Sequence, residues 1–292
     1  MRSFPVNIDP TTIQQLTFTP SQGSPMTVVE GLPNPSSVPP VREPKETSII
    51  RALQLLDVFM GDRTVWGVTD IARQAGLPTS TTHRLLSHLV DGEVVTKDGP
   101  DYSLSGRLFE LGYQLEFTRP QGLRDVSGPF LGELFATTGL TVHLAVLDRA
   151  QLLLVNKISG LHTYQSKYHV GARYTATCTA LGKSMLAFED ETETRRIIAQ
   201  GLPRRTRHSL TRPADFLVAL AEIRKTRLAF NREESYLGEF CVATPVLRFG
   251  KAIAALSLSG SPAQLESPQT HGLLIRIAND LSQILDRQVQ LK

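Results

Sequence analysis

Apolar residues begin to recur at helical spacing at Ser48. The period predicts a helix over Ile49–Met60 with Ser48 as its N-cap. One apolar stripe along this helix consists of Ile49, Leu53, Leu56 and Met60, and a second apolar edge consists of Ile50, Leu55 and Phe59. A helix that is apolar on two sides is either a deep core helix or one that packs against its own domain and a twin subunit together.

Two further helices are predicted on either side of a tight turn. Thr69 is placed to cap a helix over Asp70–Gln74, and Gly76 followed by Leu77-Pro78 marks the turn. The next helix covers Thr79–Val90 and has two distinct faces. Its core-facing side consists of Thr82, Leu85, Leu86 and Leu89. Its opposite side consists of Ser80, Thr81, Arg84, Ser87 and His88.

A short hairpin and another helix come next. Val94–Thr96 and Tyr102–Leu104 are predicted as strands, and Lys97–Asp101 is the turn between them. The order helix, helix, tight turn, helix, hairpin is typical of a winged helix-turn-helix. Gly106–Phe117 has helical spacing and is predicted as a linker helix.

The rest of the chain alternates helices and strands without the regular βαβ rhythm. The predicted helices are Leu123–Thr137, Ala180–Phe188, Glu191–Gln200, Ala214–Thr226 and Gly272–Val289. The predicted strands form two antiparallel pairs, Thr141–Asp148 with Gln151–Ile158 and Phe240–Leu247 with Ala252–Ser259. This pattern predicts an α+β domain built around an antiparallel sheet.

The N-terminal segment lacks an apolar period and is rich in Pro, Ser and Thr. Such a segment buries too little apolar surface to offset its ordering entropy, so we expect a mostly disordered extension. The predicted organisation is this extension (1–46), a winged helix-turn-helix domain (47–105), a linker helix (106–122) and the α+β domain (123–292).

The composition is that of an ordinary globular protein, with 41% hydrophobic and 20% charged residues. No apolar run approaches the roughly 20 residues of a membrane span, and Met1–Pro10 lacks a secretory pattern. We therefore expect a cytoplasmic protein without a membrane partner. The two cysteines, Cys178 and Cys241, lack CxxC spacing, so we expect neither a disulfide framework nor a metal site, and no cofactor.

The net charge of +3 does not by itself indicate a nucleic-acid partner, and residues 47–118 hold more acidic than basic side chains. The acids lie outside Ile71–Val90, however, which contains Arg73 and Arg84 and no Asp or Glu. Arg84 is suited to a guanine edge or a phosphate, and Lys97, at the tip of the wing, is suited to a phosphate. The hydroxyls of Ser80, Thr81 and Ser87 suit either partner. The alternatives are a solvated polar helix face or a protein-docking module.

Ser257 and Ser259 alternate on one predicted strand, so both hydroxyls point to the same face of the sheet. Cys241 and Thr244 lie on the neighbouring strand. Hydroxyls and a thiol on a sheet face suit hydrogen bonding to a small carboxylate, although small residues packed under a helix give the same pattern. Thr179–Lys183 opens a helix, where backbone amides can bind an anion.

Catalysis has little support in the sequence. Cys241 could act as a nucleophile with a base such as His143, but the usual third orienting group is not evident. A buried, unreactive cysteine is the commoner situation. We therefore predict no catalytic residues and no enzymatic activity.

Three stretches in this order and spacing carry a family resemblance. They are Val68–Leu86 (VTDIARQAGLPTSTTHRLL), Ala176–Ala187 (ATCTALGKSMLA) and Arg232–Gly260, in which REESYLGEFCVATPV leads into AALSLSG. With them, residues from about 47 to 290 resemble the isocitrate lyase regulator (IclR) family of bacterial transcriptional regulators.

The resemblance implies a GAF-like effector domain and a homodimer, or a dimer of dimers, formed largely through the DNA-binding domains. It also implies control of catabolic genes in response to small organic acids or aromatic compounds. The effector-site candidates carried over by position are Ala180, Leu181, Asn231, Cys241, Ser257 and Ser259. The candidates for contacting operator DNA are Ser80, Thr81, Arg84, Ser87, His88 and Lys97.

The sequence departs from the family pattern at three places near the candidate effector site. Asn231 stands where an acidic residue is common, and Phe240 stands where Arg often precedes the cysteine. Arg227-Leu228 replaces a turn that usually bears Gly. The hypothesis is a DNA-binding regulator with a small organic effector. The alternatives are a small-molecule enzyme and a protein-interaction scaffold.

Overall fold

The structure is a computed structural model that describes residues 47–60, 63–115, 117–118, 122–161 and 163–290. The extension predicted for residues 1–46 lies outside the described residues, as does part of the predicted linker.

The first described region is a winged helix-turn-helix. Its elements are α1 (Ser48–Asp57), β1 (Trp66–Gly67), α2 (Val68–Ala75), α3 (Thr79–Asp91), β2 (Val95–Asp98) and β3 (Asp101–Leu104). Among the described residues the strands form an antiparallel sheet in the order β1-β3-β2. Leu55, Ile71 and Leu86 are completely buried where the three helices meet. The helix α4 (Gly106–Tyr113) follows the hairpin.

The predicted starts of α1 and α2 and the predicted end of α1 were wrong, as were the end of the linker helix, which is Tyr113 rather than Phe117, and the start of the closing helix, which is Pro268 rather than Gly272. Ser48 is the first residue of α1 rather than its cap, and α1 ends at Asp57 because the residues after it form tighter backbone bonds, such as Phe59 N to Leu56 O. Thr69 is not a cap, since α2 begins at Val68 directly after the β1 pairing holds Gly67 extended. Gly76 ends α2 as predicted, with φ of 66°.

The second region contains one larger sheet and the helices around it. Its strands are β4 (Thr141–Asp148), β5 (Gln151–Ile158), β6 (Arg173–Thr175), β7 (Ala229–Arg232), β8 (Phe240–Arg248) and β9 (Lys251–Ser259). Its α-helices are α5 (Leu123–Thr138), α6 (Ala180–Leu186), α7 (Glu191–Ala199), α8 (Pro213–Thr226), α9 (Pro262–Leu265) and α10 (Pro268–Gln290), and a short 3-10 turn covers Ala176–Cys178. In the described ranges the strand order is β6-β5-β4-β9-β8-β7, with every neighbouring pair antiparallel. The predicted fold class is therefore confirmed.

The sheet has an apolar face and a mixed face. Val142 and Leu144 of β4 and Leu258 of β9 pack with α5 and α10 in the largest hydrophobic cluster. The strand alternation turns His143 and Ser257 to the opposite side, which α6 covers through Ala180, Leu181 and Met185. We call this second side the inner face. The fold thus places polar residues of the central strands beneath a buried helix.

Candidate functional site

The exposed side of α3 brings together the candidates for DNA contact. Ser80, Arg84, Ser87 and His88 are exposed and Thr81 is half-buried, whereas Thr82, Leu85 and Leu86 are buried against the rest of the domain. Pro78 precedes α3 and provides no side-chain cap for its first amides. Free amides and hydroxyls at a helix start, together with an arginine one turn later, are well suited to phosphates and base edges.

Lys97 was predicted to lie at the tip of the wing, but it lies in the strand that precedes the turn. Lys97 lies within β2, paired with Tyr102, and its ammonium group is 5.7 Å from the Tyr102 ring centroid. The turn consists of Gly99 and Pro100, and Gly99 has φ of 56°, a conformation that glycine adopts without strain. Lys97 is therefore an exposed cation on the side of the hairpin rather than at its tip.

Two rows of polar side chains cross the inner face. One row runs through Thr141, Ser259, Cys241 and Asn231 on four successive strands, and the other through Lys157, His143 and Ser257. The Cys241 sulfur is 2.9 Å from Ser259 Oγ, and Ser257 Oγ is 3.3 Å from His143 Nδ1. The predicted grouping of Cys241, Ser257 and Ser259 on one face is present. Thr244 lies on the other face, since it pairs with Leu256 of the apolar cluster.

A carboxylate lies over the first row. Glu239, which directly precedes β8, is completely buried. It accepts hydrogen bonds from Ser166 Oγ at 3.0 Å and from the Lys167 amide at 3.2 Å. Ser259 Oγ and Cys241 Sγ also lie within 3.4 and 3.5 Å of Glu239 Oε1. The sequence reasoning missed Glu239, because no local pattern shows that this residue reaches back over the sheet.

Tyr168 fills the space above the second row. Its hydroxyl is 2.7 Å from Ser235 Oγ and accepts from Asn231 Nδ2 at 3.3 Å. Its ring packs edge-on against His143 and Tyr174, with centroid distances of 5.7 and 4.6 Å. Asn231 thus fixes the ring that covers the candidate site, a role that its position on β7 alone did not indicate.

The start of α6 closes the inner face from the helix side. Ala180 and Leu181 are buried in the same apolar cluster as Cys241. Thr179 caps the helix by accepting from the Gly182 amide at 3.1 Å. All six effector-site candidates therefore lie on or beside the inner face, together with several partners that the sequence did not reveal.

The comparisons with known proteins identify the family. The model of the bacterial transcriptional regulator IclR C-terminal region matches residues 116–285, and the IclR helix-turn-helix domain model matches residues 48–99. The chain belongs to the IclR family of bacterial transcriptional regulators.

Two individual relatives are also named as transcriptional regulators. The HTH-type transcriptional regulator XynR of Escherichia coli (strain K12) is 31% identical over 226 residues, which cover 76% of this chain and 89% of that protein. The transcriptional repressor IclR of Escherichia coli (strain K12) is 29% identical over 219 residues, which cover 73% of this chain and 79% of the relative.

Solved structures have the same fold. The Thermotoga maritima IclR structure has a TM-score of 0.67 at 25% identity, covering 82% of this chain and 98% of that one. An IclR homolog from Microbacterium hydrocarbonoxydans, solved in complex with 4-hydroxybenzoate, has a TM-score of 0.72 at 24% identity and covers 81% of this chain and 98% of that one.

One departure from the IclR pattern has a visible structural consequence. Arg227, which takes the place of a Gly-bearing turn, ends α8 with φ of 62° in the left-handed region. This conformation favours glycine, so Arg227 holds it at some cost in strain. The turn leads into β7 and hence to Asn231 on the inner face.

Burial controls the ionisation of the inner-face groups. It lowers the pKa of His143 to about 3, with a further contribution from the charge of Lys157, so this imidazole is neutral at physiological pH. Burial, and then the charge of Glu239, raises the pKa of the Cys241 thiol well above its usual range. A thiol held protonated is a poor nucleophile, which favours a structural or ligand-contacting role for Cys241.

A buried ion pair joins α6 to the segment after β7. Lys183 and Glu234 are in direct contact, and both side chains are nearly inaccessible. Burial lowers the pKa of Lys183 and raises the pKa of Glu234, and the attraction between the two charges opposes both shifts. The pair ties the start of α6 to the turn that carries Ser235 and Glu239.

The described part of the chain holds no group of three or more His, Cys, Asp or Glu suited to a metal ion. Within the same ranges no helix combines the length and apolar content that a membrane span requires.

Proposed function

We propose that this IclR-family regulator reads operator DNA by placing α3 in the major groove, with Arg84 as the principal base or phosphate contact. The observation that carries the proposal is the exposed face of α3, which presents hydroxyls, one arginine and His88. Recognition helices of helix-turn-helix domains place an exposed face of this kind in the major groove. Lys97 on the flank of the hairpin supplies a phosphate contact from the wing.

The proposed effector is a small organic carboxylate or aromatic acid bound on the inner face. Ser257, Ser259 and Cys241 supply donors for a carboxylate, and the ring of Tyr168 supplies an aromatic wall. Ala180, Leu181 and Asn231 complete the proposed site. The effector changes operator affinity only if it binds the DNA-competent and DNA-incompetent states with different affinity.

The proposed assembly is a homodimer or a dimer of dimers. Apolar side chains of α1, α4 and the residues next to them are exposed in the single chain, namely Ile49, Leu53, Met60, Phe109, Leu111 and Leu115. Exposed apolar clusters of this kind mark protein contact surfaces. A symmetric dimer would read a palindromic operator. Because its partner is chromosomal DNA, we place the protein in the cytoplasm.

We propose no catalytic role for the inner face. The relatives are named as transcriptional regulators, and burial keeps the Cys241 thiol protonated. Turnover of a bound metabolite that is lost in a Cys241→Ser variant would favour the enzyme alternative instead. A scaffold that docks proteins would show no salt-dependent DNA binding.

Arg84→Ala tests the DNA-reading surface directly. We expect the affinity for a labelled fragment of the gene's own upstream intergenic DNA to fall by about 1–3 kcal/mol, with less discrimination at one base position. Arg195→Ala is the matched control, since Arg195 is an exposed arginine of α7 paired with Glu191. Retention of full specific affinity by Arg84→Ala would remove α3 from the proposed interface.

A further inference from the structure

Glu239 occupies the position at which the serines and the cysteine of the inner face would receive a carboxylate. Its side chain has 0% exposure, and Oε1 lies within hydrogen-bonding distance of both Ser259 Oγ and Cys241 Sγ. A carboxyl group of the protein thus already makes contacts that an acidic ligand would need.

The hydrogen-bonding capacity of Glu239 is filled. A carboxylate offers about four lone-pair sites. Two donors come from the sheet, Ser259 and Cys241, and three come from the segment between β5 and β6, namely the hydroxyls of Tyr164 and Ser166 and the Lys167 amide. A ligand that offered further donors to Glu239 would have to break one of these contacts. The arrangement therefore favours replacement of the side chain over addition of a group to it.

The charge around Glu239 is matched to one carboxylate. The Lys157 ammonium group donates to the backbone oxygens of Ser166 and Tyr168 at 3.1 and 2.9 Å, and it lies close enough to feel the charge of Glu239. A second carboxylate beside Glu239 would face a like charge in a buried site, which is strongly unfavourable. Exchange of one carboxylate for another leaves the charge balance unchanged.

We propose that Glu239 is a built-in occupant of the carboxylate position on the inner face, and that a monocarboxylate effector binds by displacing it. The inference rests on the function proposed above and names the ligand group and the residue that competes with it. A tethered competitor acts at high effective concentration, so it raises the effector concentration needed for a response. Its displacement also releases Ser166 and Lys167, which links ligand binding to the segment that carries Tyr168.

A second buried atom adds to the description of the ligand. Nε2 of His143 is buried and has no hydrogen-bond partner, although Nδ1 of the same ring contacts Ser257. A buried polar atom without a partner is costly, and a polar group of the effector at this position would satisfy it. We therefore expect an effector with a second polar group to bind more tightly than acetate.

Chemical rescue tests the proposal without knowledge of the natural effector. Glu239→Ala removes the tethered carboxyl group and exposes its donors to solutes. We expect Glu239→Ala to melt below wild type and acetate to raise the melting temperature of the variant by about 3 °C or more at constant ionic strength. Acetate should leave wild type and Glu266→Ala, which lacks an exposed carboxylate of the same domain, unchanged.

Two other solutes and one double variant test whether acetate binds at the position of the Glu239 carboxylate. Acetamide and methylammonium should not replace acetate, and Glu239→Ala combined with Ser259→Ala should lose the response to acetate. Equal rescue by the amide or the ammonium ion, no rescue by acetate, or rescue that survives Ser259→Ala would each overturn the proposal.

Glu239→Gln provides a second test if Glu239→Ala does not fold. A neutral side chain of the same size competes less well, so acetate should raise the melting temperature of Glu239→Gln at concentrations that leave wild type unchanged. No response of Glu239→Gln to acetate would contradict the proposal. Binding of wild type to its upstream DNA in the absence of acetate reports on the proposed function separately, so the failure of either idea can be recognised.

Discussion

The polar side chains of the inner face are held by partners that are distant in sequence. Tyr168 contacts Ser235, 67 residues away, and Ser166 donates to Glu239, 73 residues away. Strand alternation correctly predicted that Ser257 and Ser259 share a face, because that depends on local geometry alone. It could not predict Glu239 or Tyr168, whose places depend on how a long connection folds back over the sheet.

His143 should make stability fall toward acid. Its pKa is about 3 in the folded protein and near 6.5 when the chain is unfolded. The unfolded state therefore binds the extra proton first, and the stabilisation present above pH 6.5 is lost as the pH falls. Between about pH 6.5 and 4.5 the loss is roughly 2 kcal/mol.

Urea unfolding as a function of pH measures this dependence. His143→Gln should flatten the curve over that window relative to wild type, whereas His169→Gln, at an exposed position, should leave the slope unchanged. The same steep slope in His143→Gln would show that other groups cause the acid sensitivity.

The longer elements follow the hydrophobic period closely. The predicted strands Thr141–Asp148 and Gln151–Ile158 agree with β4 and β5 at both ends. The short strands β1, β6 and β7 were not predicted, because two to four residues at the edge of a sheet are too few to display a period. They form through pairing with a neighbouring strand, which is a tertiary contact.

The start of α6 depends on a glycine that the sequence showed but did not explain. A Cβ atom at Gly182 would overlap the backbone of Ala176, where the 3-10 turn folds against the helix. Gly182→Ala should therefore destabilise the protein by about 2–3 kcal/mol through overpacking. The measurement is the free energy of unfolding in urea.

Gly132 provides the matched control for this substitution. It lies within α5, and a Cβ atom there would meet nothing within 4 Å. Gly132→Ala should stabilise by about 0.5–1 kcal/mol because alanine favours the helix and restricts the unfolded chain. Equal effects of the two substitutions would show that the contact with Ala176 is unimportant.

At the scale of the whole molecule, the proposed dimer explains why α1 and α4 expose apolar side chains. Phe109 of α4 is 68% exposed and Ile49 of α1 is 73% exposed. Two-sided apolar character was already visible in the sequence of α1, where it left a core helix and a dimer contact as alternatives. The first stripe, through Ile49, Leu53 and Met60, is exposed in the single chain, which favours the contact between subunits.

Phe109→Asp should weaken this assembly. A charge at a desolvated contact is costly, so sedimentation should shift from a dimer toward a monomer, with a parallel loss of operator affinity. Val218→Asp is the control, because Val218 is equally exposed but lies on α8. A dimer that persists unchanged in Phe109→Asp would place the subunit contact elsewhere.

Titration with salt on the gene's own upstream intergenic DNA decides whether the protein binds operator DNA specifically. With non-specific competitor present, we predict specific binding whose affinity falls by about a thousandfold or more between roughly 50 and 200 mM salt, as phosphate contacts require. An affinity that does not distinguish this fragment from competitor DNA, or that is insensitive to salt, would show that α3 and the wing do not form a specific DNA-binding surface.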